Sequence, residues 1–176
     1  VNIDDNYFVL FGLPIGFQVD TEALASRYRE LQRQYHPDRF AHHPEEQQKA
    51  VHWSAQLNTA YDVLQNSVKR ASYLLELASR PISLNTSIAD TDFLMSQLEL
   101  REQLDEAESV EQLVGLRLEV EEWLHSLARE FVLDYADEDW SEAQDTVRKM
   151  HFMANFLADI RQQEDKFEDD DYYDED

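Results

Sequence analysis

The chain has 176 residues, enough for one ordinary domain or two small ones, and is 43% hydrophobic with only 3 glycines, a balance that favours packed helices over turn-rich sheet. Its 15 Lys and Arg stand against 38 Asp and Glu, a formal net charge of −23, and so acidic a surface repels phosphate backbones, which argues against nucleic acid as a partner. Cysteine is absent, which excludes disulfides, thiolate metal sites and a cysteine nucleophile; no apolar run of about 18 residues offers a membrane span, and "VNIDDNYFVLFGLP" lacks the basic region of a secretory signal.

An all-α protein of the cytoplasm, with no membrane partner, is therefore expected. A short helix is expected around "DDNYFVLFG", before Leu13 and Pro14. Asp20 and Thr21 are N-cap residues with Glu22 close behind, and Pro37 biases His36 away from helical geometry, so the first long helix is expected to end at Tyr35. At about 100° per residue Leu24, Tyr28, Leu31 and Tyr35 form one buried stripe, with Arg29 and Arg33 on the opposite side. This helix thus turns a basic face to solvent in a strongly acidic chain.

Pro44, Glu45 and Glu46 open a second long helix, with proline in the first turn and acids at the positive end of the dipole. It is expected to reach about Gln65, burying Val51, Ala55, Leu57, Asn58, Tyr61 and Leu64, and to break at Asn66 and Ser67 before a short helix over 68–77. Residues 36–43 then form the turn of an antiparallel helical hairpin.

The small and polar stretch "ASRPISLNTSIADT" (78–91) marks a boundary, with the linker itself at 79–90. Three further helices are expected, from Asp92 to about Glu108, Val110 to about Ala136 and Trp140 to about Lys166, as an antiparallel bundle. Leu113, Val120, Leu124, Leu127, Phe131 and Tyr135 make the core face of the middle helix, and Ala143, Val147, Met150, Ala154 and Leu157 that of the last. On the first, Phe93, Leu100, Leu104 and Ala107 share one arc, while Leu94, Met95 and Leu98 occupy another, alongside Glu99, Glu102 and Glu106. Phe152 and Phe156 likewise fall off the stripe of the last helix. Two readings fit these apolar outliers: a helix packed between two neighbours, or an exposed surface for a partner.

The end, "EDDDYYDED" (168–176), holds 7 acids and no base and is expected to be disordered. Residues 1–78 carry 7 bases and 10 acids, whereas 79–167 carry 8 and 21, so the N-terminal half is the less negative. Its bases gather before and within the 36–43 turn.

That turn, in "LQRQYHPDRFAHH", admits three readings. His36, Asp38, His42, His43 and His52 are metal-ligand types, but His36 and Asp38 straddle a proline, His42 and His43 are adjacent, and no helical pair four residues apart supplies two ligands on one face. No metal and no cofactor are expected. As an acid–base pair, His36 and Asp38 lack a serine elbow, a phosphate cradle or a cysteine to act upon, so an enzyme is not expected. The third reading is a docking turn, presented by a basic helix.

"YFVLFGLP" (7–14), "YRELQRQYHPDRF" (28–40) and "LNTAYDVLQNSVKRASYLLEL" (57–77) together resemble a J domain, whose signature is His-Pro-Asp between a basic helix and a second long one. "DTDFLMSQLELREQLDEAES" (90–109) and "DTVRKMHF" (145–152) resemble the C-terminal domain of HscB, the J-type co-chaperone family of bacterial iron–sulfur cluster assembly. The resemblance implies an L-shaped protein with a J domain at 1–78 and a three-helix bundle at 91–167. It implies that an HscA-like ATPase chaperone docks on His36, Pro37, Asp38, Arg27, Arg29, Arg33 and Arg39 and is stimulated to hydrolyse ATP. It also implies that an IscU-like iron–sulfur scaffold protein binds at Leu94, Met95, Leu98, Glu99, Glu102, Glu106 and Phe152. Arg27 is equally suited to a local ion pair.

Three departures bear on that resemblance. The acidic tail exceeds that of the bacterial members, and the zinc-binding cysteine pairs of eukaryotic relatives are missing, which favours the bacterial type. No Gly/Phe-rich linker follows residue 78, so a general J protein acting on other clients matches less well; a helical adaptor without effect on an ATPase is the other alternative.

Overall fold

The computed structural model describes residues 6–83 and 86–173, the last six of these as backbone only, and within them the chain is helical, with seven α-helices and no strand. It divides into two compact units, Val1–Ser79 and Arg80–Asp176.

In the first unit, helix α1 (Tyr7–Leu10) is capped by Asn6, whose side chain accepts from the Val9 N–H at 3.1 Å. It stops at Gly12, where φ of +68° is a left-handed conformation that favours glycine and lets the Leu13 N–H reach the Phe8 carbonyl at 2.8 Å. Helix α2 (Thr21–Tyr35) begins on Asp20, whose Oδ1 accepts from the N–H groups of Glu22 and Ala23, both at 3.0 Å. It ends because His36, ahead of proline, is extended (φ −63°, ψ 133°).

Residues Pro37–Phe40, expected as plain loop, form one turn of 3-10 helix. Helix α3 (Pro44–Gln65) follows with proline in its first turn, and α4 (Ser67–Leu77) begins after a single residue. Asn66 makes that break, since it is extended and its Oδ1 accepts from the Val68 and Lys69 N–H groups, both at 3.0 Å.

Phe8, Leu24, Leu31, Leu57, Leu64, Leu74 and Leu75 are fully buried and form the core of this unit. The stripe expected on α3 is rotated. Val51, Ala55 and Asn58 are exposed, and Ala50, Leu57, Ala60 and Leu64 face inward. Two buried alanines carry little hydrophobic signal but allow α3 a close approach to its neighbours, so the better apolar count pointed to the wrong side.

In the second unit, α5 (Thr91–Asp105) is capped by Asp90 and α6 (Val110–Ala136) by Ser109. Glu138, at φ +57°, turns the chain into α7 (Trp140–Tyr173). Helices α6 and α7 are antiparallel, as the Arg117–Glu164 bond at one end and the Thr146–Asp134 bond at the other require. Their core is Leu113, Leu116, Val120, Leu127 and Phe131 against Val147, Met150, Met153, Phe156 and Ile160, with Leu124 and Tyr135 half-buried. Phe93, Leu100 and Leu104 close it from α5. The segment after the boundary is tied to α7, for Gln144 donates to the carbonyls of Arg80 and Pro81 and Arg148 to that of Ser83.

Phe156, off the core stripe, is 1% exposed; of the two readings of the apolar outliers, packing between two neighbours holds for it, because α7 contacts both α5 and α6 and its buried face is wider than one stripe. The acidic end, expected to be disordered from 168, continues α7 through Tyr173. Extending an already packed helix adds a hydrogen bond per residue without a new nucleus. Residues 174–176 of that expected tail lie outside the described residues.

Candidate functional site

The His-Pro-Asp turn is built by the cap that ends α2. The His36 imidazole folds back so that Nδ1 accepts from the Asp38 N–H at 3.3 Å, which starts the 3-10 turn. The same nitrogen lies 3.5 Å from Asp38 Oδ2, and the two contacts are exclusive: an unprotonated Nδ1 accepts from the amide, a protonated one faces the carboxylate. Pro37 fixes the backbone between them. The outcome is a rigid turn whose carboxylate is directed to solvent, the Asp38 side chain being 88% exposed.

Beside it lies an open hollow of about 560 Å³ lined by Arg29, Gln32, Arg33 and His36. The spacing of these residues, three or four apart, puts them on one face of α2 and its C-cap. Gln32 was not singled out from sequence, although it has the same spacing. It donates to the Tyr28 hydroxyl at 2.6 Å and to Asn58 Oδ1 at 3.2 Å, and Tyr28 itself donates to Asn58 at 2.7 Å, a polar network that joins α2 to α3.

The other bases divide. Arg29 and Arg33 are exposed, and Arg39 bends back to donate to the Arg33 carbonyl at 3.3 Å, which brings its charge to the same end of α2. Arg27 bonds Glu30 at 2.8 Å one turn along, the local ion pair that its spacing allowed. His42 and His43 are exposed just before Pro44. Among the described residues no three His, Asp or Glu side chains converge to hold a metal ion.

In the second unit, Leu94, Met95 and Leu98 are 42%, 55% and 63% exposed, and Glu99 and Glu102 on the same helix and Glu106 at its C-cap are exposed too. Phe93, on the inner side, is buried between Trp123 and Phe152, with ring centroids 5.5 and 5.9 Å away. Phe152 is half-buried, stacked on Phe156 at 6.1 Å. An unpaired apolar group of three large side chains with an acidic rim is the form of a protein-binding surface. Lys149, which bonds Asp90 at the cap of this helix at 2.7 Å, was not singled out from sequence; a lysine on the side of α7 that faces another helix was the available signal.

A hairpin of two long helices with His-Pro-Asp at its turn and a basic face on the first, followed by a separate helical unit, defines a J-domain co-chaperone. Residues 6–73 match the DnaJ domain, and residues 89–161 match the HSCB C-terminal oligomerisation domain. The chain belongs to the HscB family of co-chaperones. It is 48% identical over 165 residues to the co-chaperone protein HscB homolog of Acinetobacter baumannii strain SDF, covering 94% of each chain. Chaperone HscB from Vibrio cholerae superposes with a TM-score of 0.82 at 36% identity, over 92% of this chain and 99% of that one. Human co-chaperone protein HscB gives a TM-score of 0.86 at 28% identity, over 93% and 84%. Both matched domains are co-chaperone domains, the curated relative is bacterial, and no helix among the described residues is long and apolar enough to cross a membrane.

Proposed function

We propose that the protein docks on an HscA-like ATPase chaperone through its J domain, stimulates ATP hydrolysis there, and delivers an IscU-like iron–sulfur scaffold protein held on its C-terminal bundle. It performs no bond chemistry itself and acts in the bacterial cytoplasm. The observation that carries the reading is the pairing of two different exposed surfaces on one chain: a proline-fixed turn with an exposed carboxylate beside a basic face, and an apolar group rimmed by acids.

The roles follow from the chemistry of each surface. The Asp38 carboxylate offers a charge-assisted bond to a cation on the ATPase, and Pro37 with the His36 cap limits the conformers that must be frozen on docking. Arg29, Arg33 and Arg39 steer approach to an acidic surface, with Arg27 partly engaged by Glu30. We assign residues 1–78 as the J domain, 79–90 as the linker and 91–167 as the scaffold-binding bundle. On the bundle, Leu94, Met95, Leu98 and Phe152 supply the apolar contact, and Glu99, Glu102 and Glu106 select a basic rim on the scaffold protein.

Steady-state ATP hydrolysis by the chaperone, with this protein and the scaffold protein added singly and together, tests the reading. A rise with this protein alone, and a larger than additive rise with both, is expected. Scaffold binding with no rise in hydrolysis would replace the co-chaperone reading with that of a plain adaptor.

A further inference from the structure

Leu94, Met95 and Leu98 stand on the first two turns of α5, and those turns are held to α7 by a charged cluster around the helix cap. Asp90 uses its carboxylate oxygens separately: Oδ1 accepts from the Phe93 N–H at 3.0 Å, and Oδ2 receives Lys149 Nζ at 2.7 Å. The ammonium also lies 5.5 Å from the centroid of the Phe93 ring, whose edge contacts reach Trp123 on α6 and Phe152 on α7. Lys149 and Phe152 are one turn apart on α7, so one side of that helix grips both the cap of α5 and its first buried side chain.

The Lys149 side chain is only 15% exposed. Withdrawing an ammonium this far from water carries a desolvation penalty that its ion pair largely cancels, and an apolar residue would fill the space as well or better for stability alone. What an apolar residue would not do is fix direction. A bond from Nζ to one oxygen of the capping carboxylate sets both the rotation of α5 about its axis and its position along α7, whereas hydrophobic contact tolerates sliding.

We propose that Lys149 is a positioning residue for the scaffold-binding surface: its bond to Asp90 fixes α5 on α7 so that Leu94, Met95 and Leu98 stand beside Phe152 as one surface formed before the partner arrives. The inference rests on the reading of that face as the scaffold site. Preforming the surface removes from the binding step the cost of ordering α5. Arg101 supplies an internal contrast. It bonds Asp159 on α7 at 2.9 Å over the Phe156 ring, but it lies past the apolar group, and its side chain is 46% exposed.

The test is calorimetric titration of the apo form of an IscU-like scaffold protein into the full chain and its variants, with amide hydrogen exchange of each free variant. Lys149→Met is expected to bind about tenfold more weakly and to exchange faster over residues 91–98, and Lys149→Arg to regain most of the affinity. Arg101→Met is expected to stay within about twofold of the unaltered chain. Should Lys149→Met unfold the bundle, Asp90→Asn removes the same ion pair while keeping a good N-cap, and it is expected to show the same tenfold loss, about 1.4 kcal/mol. Unaltered affinity in either variant overturns the inference and leaves the scaffold site standing. Failure of the unaltered chain to bind overturns both.

Discussion

Tyr35, the last residue of α2, and Trp53 of α3 lie with ring centroids 4.2 Å apart, an aromatic clamp that closes immediately before the His-Pro-Asp turn. Two turns back, Tyr28 and Tyr61 stack at 4.1 Å. The His-Pro-Asp turn therefore leaves a hairpin whose end is held by rings rather than frayed. Trp53→Ala is expected to lower the unfolding free energy by about 2 kcal/mol, less than for a fully buried tryptophan, in urea denaturation. It is also expected to reduce ATPase stimulation several-fold, while Trp53→Phe retains most of both.

Asp38→Asn separates docking from folding. Among the described residues the carboxylate meets only its own histidine, and it is exposed to solvent, so the melting temperature is expected to shift by no more than an ordinary surface substitution allows, while stimulation of the chaperone's ATP hydrolysis disappears. Normal stimulation by this variant would remove the turn from the mechanism.

Replacing Leu94, Met95 and Leu98 together by alanine is expected to weaken scaffold binding at least tenfold with little change in melting, since all three are substantially exposed. Phe156→Ala is the opposite case. Burial to 1% exposure predicts a loss of about 3 kcal/mol or more in chemical denaturation.

The cap of α5 predicts a pH dependence. The hydrogen bond from Lys149, then the Phe93 amide, holds the Asp90 carboxyl below its ordinary 3.8. Burial opposes the charge on Lys149, but the bond and charge of Asp90, with Asp145 and Glu130, more than offset it and leave the ammonium raised above 10.5. A lowered acid contributes stability that is present above its unfolded value and is lost as pH falls through the folded one; a raised base contributes stability below its unfolded value that is lost as pH rises through the folded one. The advantage of the unaltered chain over Asp90→Asn is therefore expected to hold at neutral pH and to vanish as pH falls below 3.8. Denaturation midpoints of both proteins across that range check it.

Arg70, on α4, is 7% exposed, and its guanidinium donates to the Leu64 carbonyl at the end of α3 and lies 4.7 Å from the centroid of the Phe17 ring. Its Nε finds no acceptor among the described residues, and burial lowers its pKa. Arg70→Ala is expected to cost about 2–3 kcal/mol through a cavity and an open carbonyl, whereas Arg70→Met, which fills the space and removes the desolvated charge, costs about 1 kcal/mol or less. Paired urea titrations distinguish the two.

The helix starts, and the end of α2, were legible because the signals that set them are local. Asp20, Asn66, Asp90 and Ser109 cap with their own side chains, and Pro37 and Pro44 act on adjacent residues, so these limits were readable without knowledge of any neighbour. The same holds for the His-Pro-Asp turn, since His36 to Arg39 are contiguous, and for the exposed apolar group, which differs in angle from the Phe93 stripe on one helix. The buried face of α3 was misread, and the choice between the two readings of Phe156 stayed open, because the side a helix buries is decided by what packs against it.

By itself, then, the amino-acid sequence determined the all-helical class, the places where the helices start, the acidic balance and the His-Pro-Asp turn, each of which rests on propensities and caps acting within a few residues. Only the tertiary structure decided that Ala50 and Ala60 rather than Val51 and Ala55 line the core, that Trp53 clamps Tyr35, and that Lys149 bonds Asp90 across 59 positions of chain. Those outcomes depend on distances between segments remote in sequence, which no local pattern encodes.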